Sequence, residues 1–189
     1  MIKIILASQS PRRKQLLQWA EIPFDVVVKE TDEAFPEGMK VEEAAIHIAR
    51  QKALAAESLV PPGSIILAAD TIVVLNGKII GKPKDREEAV NILTDLSGQK
   101  HIVITGVGIK QNEKEIAFAD STDVYFHKLT KEQIEFYVDK YKPYDKAGAY
   151  AIQEWIGVVG IKSVKGDFYN VMGLPVSRVV KELKKLMVN

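Results

Sequence analysis

Cysteine is absent from this 189-residue sequence, and histidine is scarce. Without cysteine the chain has no disulfide framework and no thiolate metal cage, and this absence fits a reducing compartment. The three histidines, His47, His101 and His127, are too far apart in sequence to match a zinc-binding helix motif. We therefore expect a cytoplasmic protein.

An excess of one charge is also absent, since 26 Lys and Arg residues face 25 Asp and Glu residues and the net charge is +1. A chain-wide attraction to nucleic acid or to an anionic membrane is therefore not expected, and any basic site must be local. The N-terminal apolar run, IKIILA, contains a lysine and is too short for a signal peptide or a spanning helix. We expect no stable nucleic-acid partner and no association with a membrane.

The chain does contain a hydrophobic fraction of 47%, which is enough for a sizeable core. Apolar runs at 3–6 and 64–69 predict buried strands, and helical spacing over 41–59 predicts a long helix. The runs 156–164 and 168–171 are also predicted as strands. Because helices alternate with strands early in the chain and hairpins dominate its middle, we expect a mixed α/β sheet flanked by helices.

The first bend of the chain, ASQSPRR, combines several features of an anion-binding site. Ser10 is predicted as a helix N-cap, with Pro11 at the first helical position. A helix N-terminus presents unpaired backbone N–H groups and a partial positive charge, for which phosphate is the natural ligand. Ser8 could add a hydroxyl donor, and Arg12 and Arg13 could add bidentate forks. The alternative is a capped surface helix with two solvated arginines.

Three charged residues elsewhere in the first half are further candidates. Asp70 ends a buried strand, where open α/β sheets bind ligands, although aspartate is also common in turns that end strands. Glu33 lies in an acidic run that could supply an oxygen ligand to a hard cation such as Mg²⁺, or could be a solvated loop. Lys52 lies on the inward face of the predicted helix, where a snorkelling stem is the ordinary explanation.

Two further candidates follow later in the chain. Lys82 stands between Gly81 and Pro83, a position with little backbone freedom, and a solvated loop lysine is the alternative. Gln153 ends the small and apolar segment 146–153, which would let a ligand approach the backbone closely. Its amide both donates and accepts, so it could read the edge of a base. The alternative for this segment is a tightly packed strand.

Five stretches together resemble one known family. LASQSPRRKQLL, AADTIVVLNGKIIGKP, LSGQKHIVITGV, DKAGAYAIQ and NVMGLP, in this order and spacing, resemble the Maf family of nucleotide pyrophosphatases. The resemblance runs over nearly the whole chain, so we expect one domain of this kind over residues 1–189. It implies a fold like that of inosine triphosphate pyrophosphatases, with two lobes around a cleft. It also implies hydrolysis of a nucleoside triphosphate to the monophosphate and pyrophosphate, with a divalent cation.

The resemblance implies a role for each candidate residue. It places the general base at Asp70, and it implies that Glu33 and Asp70 hold the cation, Mg²⁺ or Mn²⁺. The phosphate contacts of the family fall at Ser8, Arg13, Lys52 and Lys82. In the branch acting on dTTP and UTP, the positions of Arg12, Thr71 and Gln153 are Arg, Thr and Gln, whereas a branch acting on 7-methyl-GTP has Trp, Gln and Glu. This sequence resembles the pyrimidine branch.

Family membership further implies a homodimer and a house-cleaning role that includes modified pyrimidine nucleotides, with a link to septum formation and cell-division arrest. The alternative function is a nucleotide-binding or nucleic-acid-binding regulator of septum formation that uses Arg12 and Arg13 without turnover. The balanced charge of the chain argues against the nucleic-acid version, because such a module normally has a wide basic face.

Overall fold

The computed structural model describes residues 3–187. Its strands are β1 (Ile4–Leu6), β2 (Phe24–Val26), β3 (Ile66–Leu75), β4 (Lys78–Ile80), β5 (Lys100–Gln111), β6 (Lys114–Phe126) and β7 (Ile161–Lys165). Its helices are α1 (Pro11–Trp19), α2 (Val41–Glu57), α3 (Arg86–Leu96), α4 (Lys131–Tyr141), α5 (Trp155–Gly160), α6 (Phe168–Met172) and α7 (Val176–Met187), with a 3₁₀ turn at Ala147–Ala149. Within residues 3–187, no helix has the length and apolar character needed to cross a membrane.

The strands hydrogen-bond into a seven-stranded sheet in the order β2-β1-β3-β5-β6-β7, with β4 beside β3. β1 runs parallel to both β2 and β3, and the connections between these strands pass through α1 and α2, as parallel pairing requires. β4 returns antiparallel to β3 across Asn76 and Gly77, whose φ values of 50° and 78° suit a two-residue hairpin turn. The expected mixed α/β sheet flanked by helices is confirmed.

The described chain divides into two compact units. The first comprises residues 3–71, 105–120 and 173–187, and the second comprises residues 72–104 and 121–172. Each unit has fully buried side chains of its own, such as Leu67 in the first and Tyr137 in the second.

In the first unit, α2 packs against β5 at very short range. A Cβ atom at Gly106 would lie only 2.2 Å from the backbone carbonyl carbon of Ala45, so a side chain does not fit at this position beneath the helix. The buried face of α2 is mostly alanine, which lets the helix backbone come this close. Ala53 of α2 also packs in one apolar cluster with Ala68 of β3. This packing fixes α2 against the strand that carries Asp70.

The segment 156–164, predicted as a single strand, is helical in its first part. Helix α5 ends at Gly160, and only the residues from Ile161 onward form β7. The N–H of Gly157 donates to the carbonyl of Glu154 at 2.9 Å, which begins the helix. Because a short apolar run does not distinguish a strand from a helical turn, the prediction is wrong for this part.

Residues 168–171, also predicted as a strand, lie in α6. The N–H of Tyr169 donates to the carboxylate of Asp167 at 2.7 Å, a contact typical of a helix cap. The amide of Asn170, which is fully buried, donates to the hydroxyl of Thr122 at 3.0 Å. The strand prediction is wrong because the apolar pattern did not reveal this local cap.

Candidate active site

The N-terminus of α1 has the capping geometry that the sequence predicts. Ser10 precedes the helix, its hydroxyl accepts the N–H of Arg13 at 3.5 Å, and Pro11 holds the first helical position. The N–H of Ser10 in turn donates to the hydroxyl of Ser8 at 3.3 Å. The hydroxyls of Ser8 and Ser10 therefore fix the backbone of the bend that leads to Arg13.

Arg13 reaches inward from α1 and is only 9% exposed. Its guanidinium donates to three neutral oxygens, namely the carbonyl of Gly173 at 2.8 Å, the hydroxyl of Ser8 at 3.0 Å and the hydroxyl of Thr71 at 3.1 Å. Burial lowers the pKa of Arg13, and the nearby carboxylate of Asp70 opposes that effect. A buried cation whose hydrogen-bond partners are neutral leaves a positive charge that a bound anion could compensate.

Thr71 connects this arginine to a buried residue that the sequence did not single out. The Thr71 hydroxyl, which accepts from Arg13, lies 3.0 Å from the hydroxyl of Thr105 on β5. Thr105 is fully buried. It falls within the stretch LSGQKHIVITGV, but no chemical pattern distinguishes it from an ordinary strand threonine, so sequence reasoning missed it.

A second cluster in the same unit joins two carboxylates through one ammonium group. Lys52 Nζ on α2 lies 2.7 Å from Asp70 Oδ1 and 2.7 Å from Glu33 Oε1 in the loop before α2. The prediction that Asp70 ends a strand is wrong, because the apolar residues after Thr71 continue the same strand, β3, to Leu75. The side chains of Lys52 and Asp70 are 17% and 14% exposed, whereas that of Glu33 is 50% exposed. The inward-facing lysine of the predicted helix is therefore an ion-pair partner of Asp70 and Glu33.

The carboxylates of Glu33 and Asp70 are the ligands expected to hold Mg²⁺ or Mn²⁺. Their contacting oxygens lie within 5.4 Å of each other, because each is 2.7 Å from the same nitrogen. Within residues 3–187, no group of three or more His, Cys, Asp or Glu side chains could hold a metal ion. Mg²⁺ often uses one or two carboxylates and takes its other ligands from water and substrate phosphates. The two carboxylates fit a cation bound together with a triphosphate, but they do not form a complete protein cage.

The structure therefore brings six of the predicted residues together in two contact groups of the first unit. Ser8, Arg13 and Thr71 form one group, and Glu33, Lys52 and Asp70 form the other. Arg12 is half-buried on α1, and its charge contributes to the lowered pKa of Arg13.

Lys82 and Gln153 belong to the second unit. Lys82 is exposed in the loop after β4, and the neighbouring Gly81 carbonyl accepts the N–H of Gly148 at 3.1 Å. That bond ties the Lys82 loop to the 3₁₀ turn of the segment 146–153. Gln153 is exposed just after the buried residues at the end of this segment.

The chain is similar to known proteins over nearly its whole length. The family described as Maf-like protein matches residues 3–186. A protein of Bacteroides thetaiotaomicron named dTTP/UTP pyrophosphatase is 48% identical over 97% of this chain and 96% of its own length. A protein of Cytophaga hutchinsonii with the same name is 50% identical over 97% of this chain and 84% of its own.

Among solved structures, the Staphylococcus aureus Ham1 protein aligns with a TM-score of 0.41 and 17% identity, over 66% of this chain and 71% of that protein. The family match spans both units and every predicted site residue. The chain belongs to the Maf-like protein family.

Proposed function

We propose that the protein is a nucleoside triphosphate pyrophosphatase that hydrolyses dTTP and UTP to the monophosphate and pyrophosphate. The observation that carries the proposal is the buried guanidinium of Arg13, whose hydrogen bonds within residues 3–187 all go to neutral oxygens, in the unit that also contains the Asp70–Lys52–Glu33 cluster. The similarity to relatives named dTTP/UTP pyrophosphatase supports the same reaction and the same substrates.

Binding of the triphosphate would use fixed positive charge. Arg13 is held in one orientation by its three hydrogen bonds, so its charge needs no reorganisation when phosphate arrives. The N-terminus of α1 adds backbone N–H groups and a partial positive charge beside it. We assign Ser8, Lys52 and Lys82 to the same role from the family resemblance, and Ser8 supports it by its contact with Arg13.

The chemical step would be attack of water on the α-phosphorus. The water oxygen forms a bond to phosphorus while the bond from that phosphorus to the bridging oxygen breaks, and the electron pair leaves with pyrophosphate. Asp70 would orient the water and accept its proton, since its side chain is 14% exposed and so is partly accessible within β3. A Mg²⁺ or Mn²⁺ ion held by Glu33 and Asp70 would supply Lewis-acid stabilisation of phosphate charge.

Lys52 would hold the carboxylates of Asp70 and Glu33 close to each other. Its ammonium lies between Asp70 and Glu33 and offsets their mutual repulsion before any ligand binds. The same ammonium has three donors, so it can turn toward a phosphate oxygen without leaving Asp70.

Base selection would depend on Arg12, Thr71 and Gln153. A site that hydrogen-bonds the polar edge of uracil or thymine rejects a base that lacks the matching groups, because the polar groups of the site are then left unpaired. The hydroxyl of Thr71 and the amide of Gln153 suit the carbonyl and imide edge of these bases. We further propose a cytoplasmic homodimer that removes pyrimidine nucleotides, including modified ones, with a link to cell-division arrest.

The test is product analysis with a panel of nucleotides. Purified protein is incubated with dTTP, UTP, CTP, ATP or GTP and with Mg²⁺ or Mn²⁺, and pyrophosphate and orthophosphate are quantified separately. We expect pyrophosphate from dTTP and UTP in preference to the other nucleotides. Release of orthophosphate alone would indicate a phosphatase, and tight binding without products would favour the regulator that acts without turnover.

A further inference from the structure

A buried tyrosine hydroxyl holds the turn that carries Gln153. Tyr137, on α4, is fully buried, and its ring stacks on that of Tyr141 with centroids 4.9 Å apart. The Tyr137 hydroxyl accepts the backbone N–H of Ala151 at 3.1 Å and donates to the carboxylate of Glu154. One phenol therefore contacts the chain on both sides of Gln153.

Short backbone contacts close the same turn. The N–H of Glu154 donates to the carbonyl of Ala151 at 3.0 Å, and the N–H of Gly157 donates to the carbonyl of Glu154 at 2.9 Å. A Cβ atom at Gly157 would lie 1.6 Å from the carbonyl oxygen of Ile152, so the turn packs against the start of α5 with no room for a side chain. The exposed side chain of Gln153 projects from a backbone that is fixed on both sides.

The side chain of Glu154 does not cap the helix that it precedes. It stands at the N-cap of α5, where a carboxylate ordinarily binds backbone N–H groups, yet its side chain makes no capping hydrogen bond. One oxygen instead accepts from Tyr137, and the other lies 3.8 Å from the ammonium of Lys146, which is itself 8% exposed. The carboxylate therefore holds the turn in place and does not stabilise the helix end.

We propose that Tyr137 and Glu154 are positioning residues that fix Gln153 for recognition of the base. The inference rests on the proposed function, in which Gln153 reads the base edge. Selectivity from a hydrogen-bonding side chain requires that its backbone be held within about 0.5 Å of the productive position. A displacement of about 1 Å can cost roughly a hundredfold in rate. Loss of the Tyr137 hydroxyl therefore lowers the rate most for the base that Gln153 recognises.

The experiment compares two hydroxyl deletions on one helix. Tyr137→Phe removes the hydroxyl that bonds Ala151 and Glu154, whereas Tyr141→Phe removes a neighbouring hydroxyl that takes no part in these two bonds. The kcat/KM for pyrophosphate release is measured with UTP and with CTP. We expect Tyr137→Phe to lower the UTP-to-CTP ratio by roughly tenfold and Tyr141→Phe to leave it within about twofold. Equal loss for both nucleotides in Tyr137→Phe would show a merely structural role and overturn the inference.

Two substitutions of Glu154 test the same inference even if Tyr137→Phe does not fold. Glu154→Gln keeps an acceptor for the tyrosine hydroxyl and is expected to keep the ratio, whereas Glu154→Ala removes the acceptor and is expected to lower it. The inference is overturned if Glu154→Ala keeps the wild-type ratio, or if Glu154→Gln loses as much of it as Glu154→Ala. A wild-type protein that releases no pyrophosphate from UTP would instead reject the proposed function.

Discussion

The buried imidazole of His101 gives the protein a pH-dependent stability whose size follows from its surroundings. His101 is 1% exposed in the second unit, edge-on to the rings of Phe126 and Tyr150, and its Nε2 lies 2.7 Å from the Tyr150 hydroxyl. Its Nδ1 has no hydrogen-bond partner within residues 3–187. Burial without a compensating anion lowers the pKa of His101 to about 4.

The direction and size of the pH effect on the free energy of unfolding follow from proton linkage. The pKa is about 6.5 when the chain is unfolded and about 4 when it is folded, so between these values the unfolded chain binds the proton more tightly. The stability present above pH 6.5 is therefore lost as the pH falls, and the loss stops growing below the folded pKa. The expected loss attributable to His101 is about 2 kcal/mol between pH 7 and pH 5, and about 3 kcal/mol in total.

A comparison with His101→Gln isolates this contribution. The free energy of unfolding is measured by urea titration at pH 7 and pH 5, following tryptophan fluorescence, because Trp155 in the second unit is half-buried and Trp19 is 59% exposed. The other titrating groups are common to both proteins and cancel in the comparison. The wild type should lose about 2 kcal/mol more than the variant over this pH interval. Equal pH dependence in the two proteins would refute a buried, neutral His101.

Further substitutions test the proposed site and the packing of the first unit. Asp70→Asn should fold normally and lower the rate of pyrophosphate release by about 10² to 10⁴, and near-normal turnover would remove Asp70 from its role. Arg12→Ala should change which nucleotide is preferred, whereas Arg13→Ala should abolish cleavage of all of them; equal losses for every nucleotide in both variants would contradict this division. Gly106→Ala should lower the free energy of unfolding, measured by urea titration, by about 1–3 kcal/mol or more. The reason is that its Cβ would lie 2.2 Å from the backbone of Ala45 in α2. Gly108→Ala, with a nearest contact of 3.5 Å, is the control and should change stability by no more than about 0.5 kcal/mol.

Local chemistry made the cap of α1 predictable. Ser10 and Pro11 act within a few residues of where they stand, and both occupy the expected positions. Lys52 could also be singled out from the sequence, because the helical spacing of 41–59 places this charged residue on the apolar face of the helix. Its partner was not predictable from spacing alone, since Asp70 lies 18 residues further along the chain and meets Lys52 only through the packing of α2 on β3.

The residues that sequence reasoning missed act through distant contacts. Thr105 lies 34 residues from Thr71, and Tyr137 lies 17 residues from Glu154. Neither carries a charge, and each follows the ordinary apolar pattern of its strand or helix. A buried hydroxyl becomes a site residue only when folding places a second polar group beside it. The same dependence on context explains the wrong strand prediction at 168–171, where the cap at Asp167 decided the outcome.

The contact between Arg13 and Thr71 joins two tasks that the family resemblance assigns to separate residues. Thr71 accepts a hydrogen bond from Arg13, so one lone pair of its hydroxyl is already occupied. Either hydroxyl of the Thr71–Thr105 pair, 3.0 Å apart, can be the donor, and when Thr71 donates to Thr105 it can only accept from a ligand. The imide N–H of uracil or thymine can donate to such an acceptor, whereas the corresponding ring nitrogen of cytosine carries no hydrogen. The buried arginine would thus orient a residue that reads the base while its charge attracts the phosphates, so selectivity and phosphate binding would depend on one guanidinium.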